Sequence, residues 1–252
     1  MTVPFYIAAS VFMIASVVLV ILSGNGVGEY SLLVGAHSRG MIWGFAWLTV
    51  IGTVVTLLPT LSATAISPTA RARCTRALIV HCVGLSLAMV LYAVGLTRAA
   101  GVAQLLVVVA AVLIIQPVLA TVMGRSPRLT TATVAVIAGL LWMLALCAGD
   151  AISAAVGAYP RTITLILLPG FLGAGLLQLI TGVLHHLLPI LTGARPNTAE
   201  RTGYARLLLI NLGGVLTLLG ATVAGLIMMG IGLAANVIAV GRAIYLKKRL
   251  ES

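Results

Sequence analysis

The sequence predicts an all-α fold, a polytopic transmembrane helix bundle of about eight spans. Of the 252 residues, 61% are hydrophobic and only 8% are charged, whereas a soluble domain is about 45–50% apolar and about 25% charged. The apolar residues lie in runs of about 20, which is the length that a helix needs to cross a bilayer. We therefore expect residues 1–252 to form a single integral membrane domain with the lipid bilayer as its solvent.

The boundaries of the spans follow from where the apolar runs stop. The first run has no basic segment before it and is long for a signal peptide, so we expect it to remain as a span. The last two spans share the run from Leu207 to Leu246, and its glycines Gly225, Gly230 and Gly232 predict a reversal near the middle; one long span plus an interfacial segment is the alternative. The eight predicted spans are 3–23, 38–60, 77–97, 102–123, 130–149, 162–189, 207–225 and 227–245.

The net charge of +11 does not indicate a nucleic-acid partner, because the basic residues lie in short gaps between apolar runs. With eight spans, most of them fall on the side of the two termini, and only Arg39, Arg98 and Arg161 fall on the other side. The positive-inside rule therefore predicts cytoplasmic N- and C-termini in a multi-pass protein of the cell (inner) membrane. The basic residues on the cytoplasmic side are Arg71, Arg73, Arg76, Arg125, Arg128, Arg195, Arg201, Arg206, Arg242, Lys247, Lys248 and Arg249.

The chain has the pattern of an internal duplication. When it is shifted by 130 residues, segment 52–76 falls on segment 182–206 without a gap, and seven positions are identical, including a proline and two arginines. A shift of four spans preserves orientation, so the halves 1–129 and 130–252 would form a parallel 4+4 repeat. The alternative is convergence on a common sequence at helix ends. The identical positions are Gly52, Leu57, Leu58, Pro59, Leu61, Arg71 and Arg76.

A first group of candidate site residues lies at the outer end of the second span: His37, Met41, Trp43 and Trp47. His37 and Met41 are four residues apart, so an α-helix places them on one face, and imidazole with thioether suits Cu(I). These two are the metal-ligand candidates. The alternative is that His37 is hydrogen-bonded to Glu29 or Asp150, with the tryptophans as interface anchors. An acid in the position of Asp150 is more often solvated than part of a proton relay.

A second group of polar residues falls in the cytoplasmic halves of the predicted spans, where each polar side chain is costly. His81 and His185 lie on different spans at similar depth and could ligate a haem iron from both sides, so haem b or copper is the candidate cofactor. The alternative is a hydrogen-bonded network that fixes helix packing. His186 points about 100° away from His185. The members of this group are His81, Gln116, Gln178, His185, His186 and Asn211.

Four segments in order resemble the N-terminal polytopic membrane domain of actinobacterial multicopper oxidases. From His37 to Thr60, HSRGMIWGFAWLTVIGTVVTLLPT is similar to the family pattern HxHLNLLGWxGLTVLGTLxTLWPT. The later segments LLWMLALCAGDA, LLPGFLGAGLLQLITGVLHHLLPILTGARP and ARLLLINLGGVLTLL also look alike. The first of these helices is more distantly similar to haem-copper oxidase subunit I and to NnrS-like proteins.

The resemblance implies a setting of copper or haem redox chemistry. Two departures limit it: Arg39 stands where the family has a second histidine, and no HxH or HCHxxxH copper motif is present, so oxidase activity would need another polypeptide. We therefore expect a membrane component that holds haem or copper, or docks a separate cupredoxin, multicopper oxidase or respiratory subunit. Whether it is an enzyme is left open, with a complete oxidase not expected. The alternatives are a small-solute or metal-ion transporter and a structural or assembly subunit.

Overall fold

The computed structural model describes residues 2–66, 68–123, 130–157, 160–193 and 202–251, and helices are the regular structure of these ranges. Two π-helices, Gly40–Ala46 and Phe171–Leu177, interrupt otherwise continuous helical segments. The α-helices are α1 Val3–Gly24, α2 Tyr30–Arg39, α3 Trp47–Leu61, α4 Ala70–Ala93, α5 Thr97–Met123, α6 Thr131–Ala155, α7 Pro160–Gly170, α8 Gln178–Thr192, α9 Gly203–Leu218 and α10 Thr222–Glu251.

The prediction of an all-α polytopic bundle is confirmed. The helices form eight segments, because α2 runs into α3 through the first π-helix, and α7 runs into α8 through the second. Seven of the described segments are long and apolar enough to cross a membrane, and the eighth, α9, is a shorter apolar helix. The chain is therefore a multi-pass membrane protein whose outward side chains contact lipid.

The reversal between the last two segments is not at the glycines that the sequence indicated. It lies at residues 219–221, where Gly220 adopts a φ of +89°, a conformation that other residues rarely adopt. Gly225 instead lies inside α10, where an added Cβ would come 2.5 Å from the carbonyl oxygen of Gly213 on α9. The predicted turn was wrong because Gly225 and Gly232 lie at close contacts with α9, and the sequence alone does not distinguish a packing glycine from a turning one.

The chain divides into two compact units. The first contains residues 1–127 and 144–165, and the second contains residues 128–143 and 166–252, so that α6 contributes its two ends to different units. These units overlap with the predicted repeat halves without matching them. The repeat itself stays a prediction.

In the first unit, glycines on the second span allow α1 to approach its backbone. A Cβ on Gly44 would lie 2.5 Å from Cβ of Phe12, and one on Gly52 would lie 2.8 Å from Cβ of Phe5. Both phenylalanines are buried, at 6% and 2% exposure. Small residues at such contacts let helices in lipid gain close van der Waals packing.

The second unit has its own apolar core, formed by Ala174, Ile210 and Met229 with Trp142 and Leu233 packed against it. One glycine contact in this unit corresponds to a glycine contact in the first unit whose two positions are 130 residues earlier in the sequence. A Cβ on Gly182 would lie 2.7 Å from Cβ of Ala135, and these positions correspond to Gly52 and Phe5.

An aromatic contact also corresponds between the units. The rings of Phe12 and His81 are 6.4 Å apart, centroid to centroid, in an edge-to-face arrangement. At the positions 130 residues later, Trp142 Nε1 donates a 2.7 Å hydrogen bond to Asn211 Oδ1. Each pair joins the first and third helical segments of its predicted half, although the chemistry of the contact differs.

Candidate functional site

A buried ion pair lies in the first unit near the end of α6. Arg39 Nη2 donates a 2.5 Å hydrogen bond to Oδ1 of Asp150, and the two residues are 1% and 4% exposed. Because the local dielectric is low, neither charge could be held there without its partner. The pair therefore links α2 to α6 across 111 positions of sequence.

Two neutral donors complete the environment of the Asp150 carboxylate. Trp43 Nε1 donates to Oδ2 at 2.8 Å, and Gln104 Nε2 donates to the same oxygen at 2.7 Å. Trp43 is on the first π-helix and Gln104 is on α5, so the second span and α5 both contact a carboxylate on α6. We call Arg39, Trp43, Gln104 and Asp150 the Asp150 cluster.

The guanidinium of Arg39 has further contacts. Its Nη1 donates to the carbonyl oxygen of Gly35 at 3.2 Å, and its Cζ lies 4.0 Å from the centroid of the Tyr92 ring, within the range of a cation–π interaction. The expectation that Asp150 is solvated was wrong, because three donors replace water. The tryptophans are not interface anchors either, since Trp43 is 2% exposed and Trp47 is 0% exposed.

The first π-helix also connects Trp43 to His81. His81 Nε2 lies 3.0 Å from the Trp43 carbonyl oxygen, which can only accept, so His81 donates and its Nε2 carries the proton. Trp43 lies in the π-helix, so His81 on α4 gives this π-helical carbonyl a donor from another helix. His81 is 2% exposed, so only its Nδ1 is left for a ligand.

The predicted Cu(I) pair has a different setting from the one assumed. His37 Nδ1 is 2.8 Å from the carbonyl oxygen of Ser16 on α1, so the alternative partners Glu29 and Asp150 were wrong. Glu29 accepts a 2.5 Å hydrogen bond from Ser31 instead. Met41 lies in the π-helix that continues α2, and the pairing of His37 with Met41 as metal ligands stays a prediction.

The remaining cofactor candidates lie in the second unit. Gln178 is 0% exposed and its Nε2 is 3.5 Å from the Ala135 carbonyl oxygen. His185 is buried and His186 is half-buried. Asn211 accepts from Trp142 and donates to the Leu207 carbonyl oxygen. The predicted haem pair takes His81 from one unit and His185 from the other.

The other candidate residues either are exposed or lie outside the described residues. Gln116 is exposed on α5. Within the described ranges, no group of three or more His, Cys, Asp or Glu residues could hold a metal ion. Four of the basic residues used to predict orientation lie outside the described residues: Arg125, Arg128, Arg195 and Arg201.

Sequence reasoning missed Gln104 and Tyr92. Gln104 is a single amide in an otherwise apolar run, and such residues are costly in a membrane unless they have a partner; that signal was sufficient to select it. Tyr92 carries no comparable signal, because tyrosine near the end of a span is ordinary.

The turns next to the Asp150 cluster carry exposed apolar side chains. These turns follow α1, α4 and α6. Two of them lie close to the start of another helix: a Cβ on Gly157 would lie 2.8 Å from Nε of Arg98 on α5, and one on Gly95 would lie 3.4 Å from Cδ1 of Leu32 on α2. Exposure of the apolar side chains ranges from 51% to 71%. We call this set the turn surface; it consists of Val27, Tyr30, Val94, Leu96 and Val156.

No protein-family model matches this chain, and no match was found among curated proteins or among solved structures.

Proposed function

We propose that this protein is a membrane component of copper or haem redox biology that docks a redox partner on its turn surface and is not a complete oxidase by itself. The observation that carries the proposal is the set of five exposed apolar side chains, four in three turns and Tyr30 at the start of α2, at the ends of helices that a buried cluster ties together. Apolar side chains that form one patch outside the bilayer are typical of protein interaction sites.

The redox setting rests on the resemblance to the membrane domain of multicopper oxidases. Two of the resembling segments contribute residues to the Asp150 cluster: Arg39 and Trp43 come from the first, and Asp150 comes from the second. Arg39 and Trp43 stand where the family pattern has His and Leu, so the cluster is this chain's own feature within the resembling segments. The cluster satisfies its own charges, which suits a rigid support for a docking surface.

The charge distribution indicates the side of the membrane on which the partner would bind. If the termini are cytoplasmic, as the positive-inside rule predicts, the turn surface lies on the opposite side of the cell membrane. A separate cupredoxin, multicopper oxidase or respiratory subunit on that side would meet it. The turn surface includes Tyr30, and tyrosine is among the residues most enriched at interface hot spots.

Site-specific photo-crosslinking tests this docking role. A photoreactive amino acid is placed at Val94 or Val156 on the turn surface, and at Val83, which is 58% exposed within α4, as the matched control. We expect the two turn positions, and not Val83, to crosslink in native membranes to a protein that contains copper or haem. Equal labelling at all three positions, or crosslinked products without a redox centre, would contradict the proposal.

No step of this role passes through a metal bound by the chain itself. Absorbance spectra and elemental analysis of the purified protein separate docking from cofactor holding. A Soret band that disappears in His81→Ala, with the fold retained, would replace the docking proposal by a haem-holding one. Bound copper that is lost in His37→Ala would do the same for copper.

A further inference from the structure

A groove of about 540 Å³ lies between α1 and α4 in the first unit. Its walls run from Ala8 to Leu19 on α1 and from Cys82 to Ala93 on α4, about 16 Å along each helix at 1.5 Å per residue. The volume falls in the range of small-molecule sites, about 300–1,000 Å³. The lining is almost wholly apolar, and both helices are candidate membrane spans, so the groove opens to lipid.

The groove exists because α1 and α4 meet over the second span and then separate. At Gly40, an added Cβ would meet Ser16 Oγ from α1 and the Met89 side chain from α4. At Gly44, it would meet Phe12 and Leu85 from the same two helices. These close contacts fix the base of the groove, and small residues on its walls leave the space above it open.

One hydroxyl in the groove has no hydrogen-bond partner in the described part of the chain: Ser86 Oγ. Ser10 on α1 differs, since its hydroxyl donates to Tyr6 O at 3.0 Å. The buried hydroxyls of Ser16 and Ser23 on the same helix also have no partner among the described residues. An unsatisfied hydroxyl in hydrocarbon is costly, so the molecule that fills the groove should supply an acceptor.

The depth of Ser86 restricts what that molecule can be. Ser86 lies seven residues before the end of α4, which is about 10 Å along the helix axis. The ester oxygens of an ordinary phospholipid lie in the interfacial region, outside the hydrocarbon core of about 30 Å. The acceptor therefore has to belong to a molecule whose polar end enters the hydrocarbon region.

We propose that the groove binds a lipid-soluble quinone, with a ring carbonyl accepting a hydrogen bond from Ser86 Oγ and the hydrocarbon tail lying along α1 and α4. The choice of a quinone rests on the proposed redox function, because quinones are redox carriers dissolved in the membrane. Binding alone is proposed here, with no electron transfer assigned to the chain.

Photolabelling of the full chain in phospholipid nanodiscs tests the proposal. The probe is an azido-ubiquinone, competed with decylubiquinone, and the labelled peptides are mapped by mass spectrometry. We expect labels on segments 8–19 and 82–93. Ser86→Ala should weaken competition about two- to tenfold, the equivalent of one neutral hydrogen bond, and Ala15→Phe, which fills the groove, should abolish labelling.

Two matched variants control for general effects. Ser10→Ala removes an exposed serine hydroxyl outside the groove, and Ile14→Phe adds an aromatic ring to α1 at a residue that is 60% exposed and does not line the groove. Both should bind the probe as the unmodified protein does. Unchanged binding in Ser86→Ala and Ala15→Phe overturns the proposal, as does labelling by a diazirine phospholipid that decylubiquinone does not displace.

Failure of this proposal is distinguishable from failure of the docking role. Quinone binding concerns the α1–α4 groove, whereas docking is measured by crosslinks from Val94 and Val156 on the turn surface. If quinone labelling of the groove fails while those crosslinks are still obtained, the groove proposal is wrong and the docking role stands. If the crosslinks are not obtained, the docking role is wrong.

Discussion

Asp150 accepts hydrogen bonds on both carboxylate oxygens, and the shortest of them, 2.5 Å, comes from Arg39. Both residues are almost completely buried, so each charge depends on the other for compensation. Removal of one partner is therefore much more harmful than removal of both.

We expect Asp150→Ala to destabilise the first unit by about 3–5 kcal/mol, because it leaves the Arg39 guanidinium buried and unpaired. The double variant Arg39→Met/Asp150→Leu should lose much less. Thermal unfolding of the purified protein in detergent measures both, with Glu29→Gln as an exposed control. A double variant as unstable as Asp150→Ala would show that the ion pair is not the source of the loss.

The two buried tryptophans differ in one hydrogen bond, so substituting each of them measures what that bond contributes to stability. Trp43 donates to Asp150 at 2.8 Å, whereas Trp47 Nε1 has no hydrogen-bond partner among the described residues. Trp43→Phe should cost about 1.5–3 kcal/mol from the lost bond to a charged group, in addition to packing. Trp47→Phe should cost only the packing difference, and equal losses in an unfolding titration would rule out the hydrogen-bond explanation.

Glycine substitutions should have opposite effects in different environments. A Cβ at Gly44 would lie 2.5 Å from Phe12 Cβ, whereas one at Gly230 would have no atom within 4 Å. Gly44→Ala should therefore separate α1 from the second span and lower the unfolding temperature. Gly230→Ala, in the interior of α10, should raise stability by about 0.5–1 kcal/mol. A stabilising Gly44→Ala would contradict the close packing.

Cysteine labelling tests the turn at residues 219–221 and the orientation together. In a background without native cysteines, Asn25→Cys and Leu219→Cys, the latter at a residue that is 77% exposed, should react with a membrane-impermeant maleimide in intact cells, because both lie in turns on the predicted outer side. Ile66→Cys should react only after permeabilisation. The reverse pattern would invert the predicted topology, and protection of position 219 would contradict the turn.

The spans were predictable because hydropathy depends on composition over about 20 residues. Seven of the described segments meet that criterion, and the continuous helix from Tyr30 through the first π-helix extends beyond the predicted start at residue 38. The last turn was not predictable, because Gly220 and Gly225 look alike in sequence although one turns the chain and the other packs against α9.

The site was less predictable than the spans. Arg39 and Asp150 were both recognised as charged residues near one end of the bundle, but a pairing across 111 positions depends on how α2 and α6 fold together. The roles of Trp43 and His81 depended on a π-helix that periodicity does not reveal. Sequence reasoning placed His37 and Met41 in one α-helix, whereas Met41 lies in the π-helix; their role as metal ligands stays a prediction.

The π-helix at Gly40–Ala46 gives the second span one residue more than an α-helix would have in the same turn. Each i→i+5 turn accommodates one residue more than an i→i+4 turn. Deleting Ile42 would therefore let this turn close as an ordinary α-helical turn with Arg39 kept near its present direction, whereas the same deletion inside α3 would rotate the residues before it by about 100°. The second span can thus lose a residue at the π-helix and still hold Arg39 opposite Asp150, but it cannot lose one within α3.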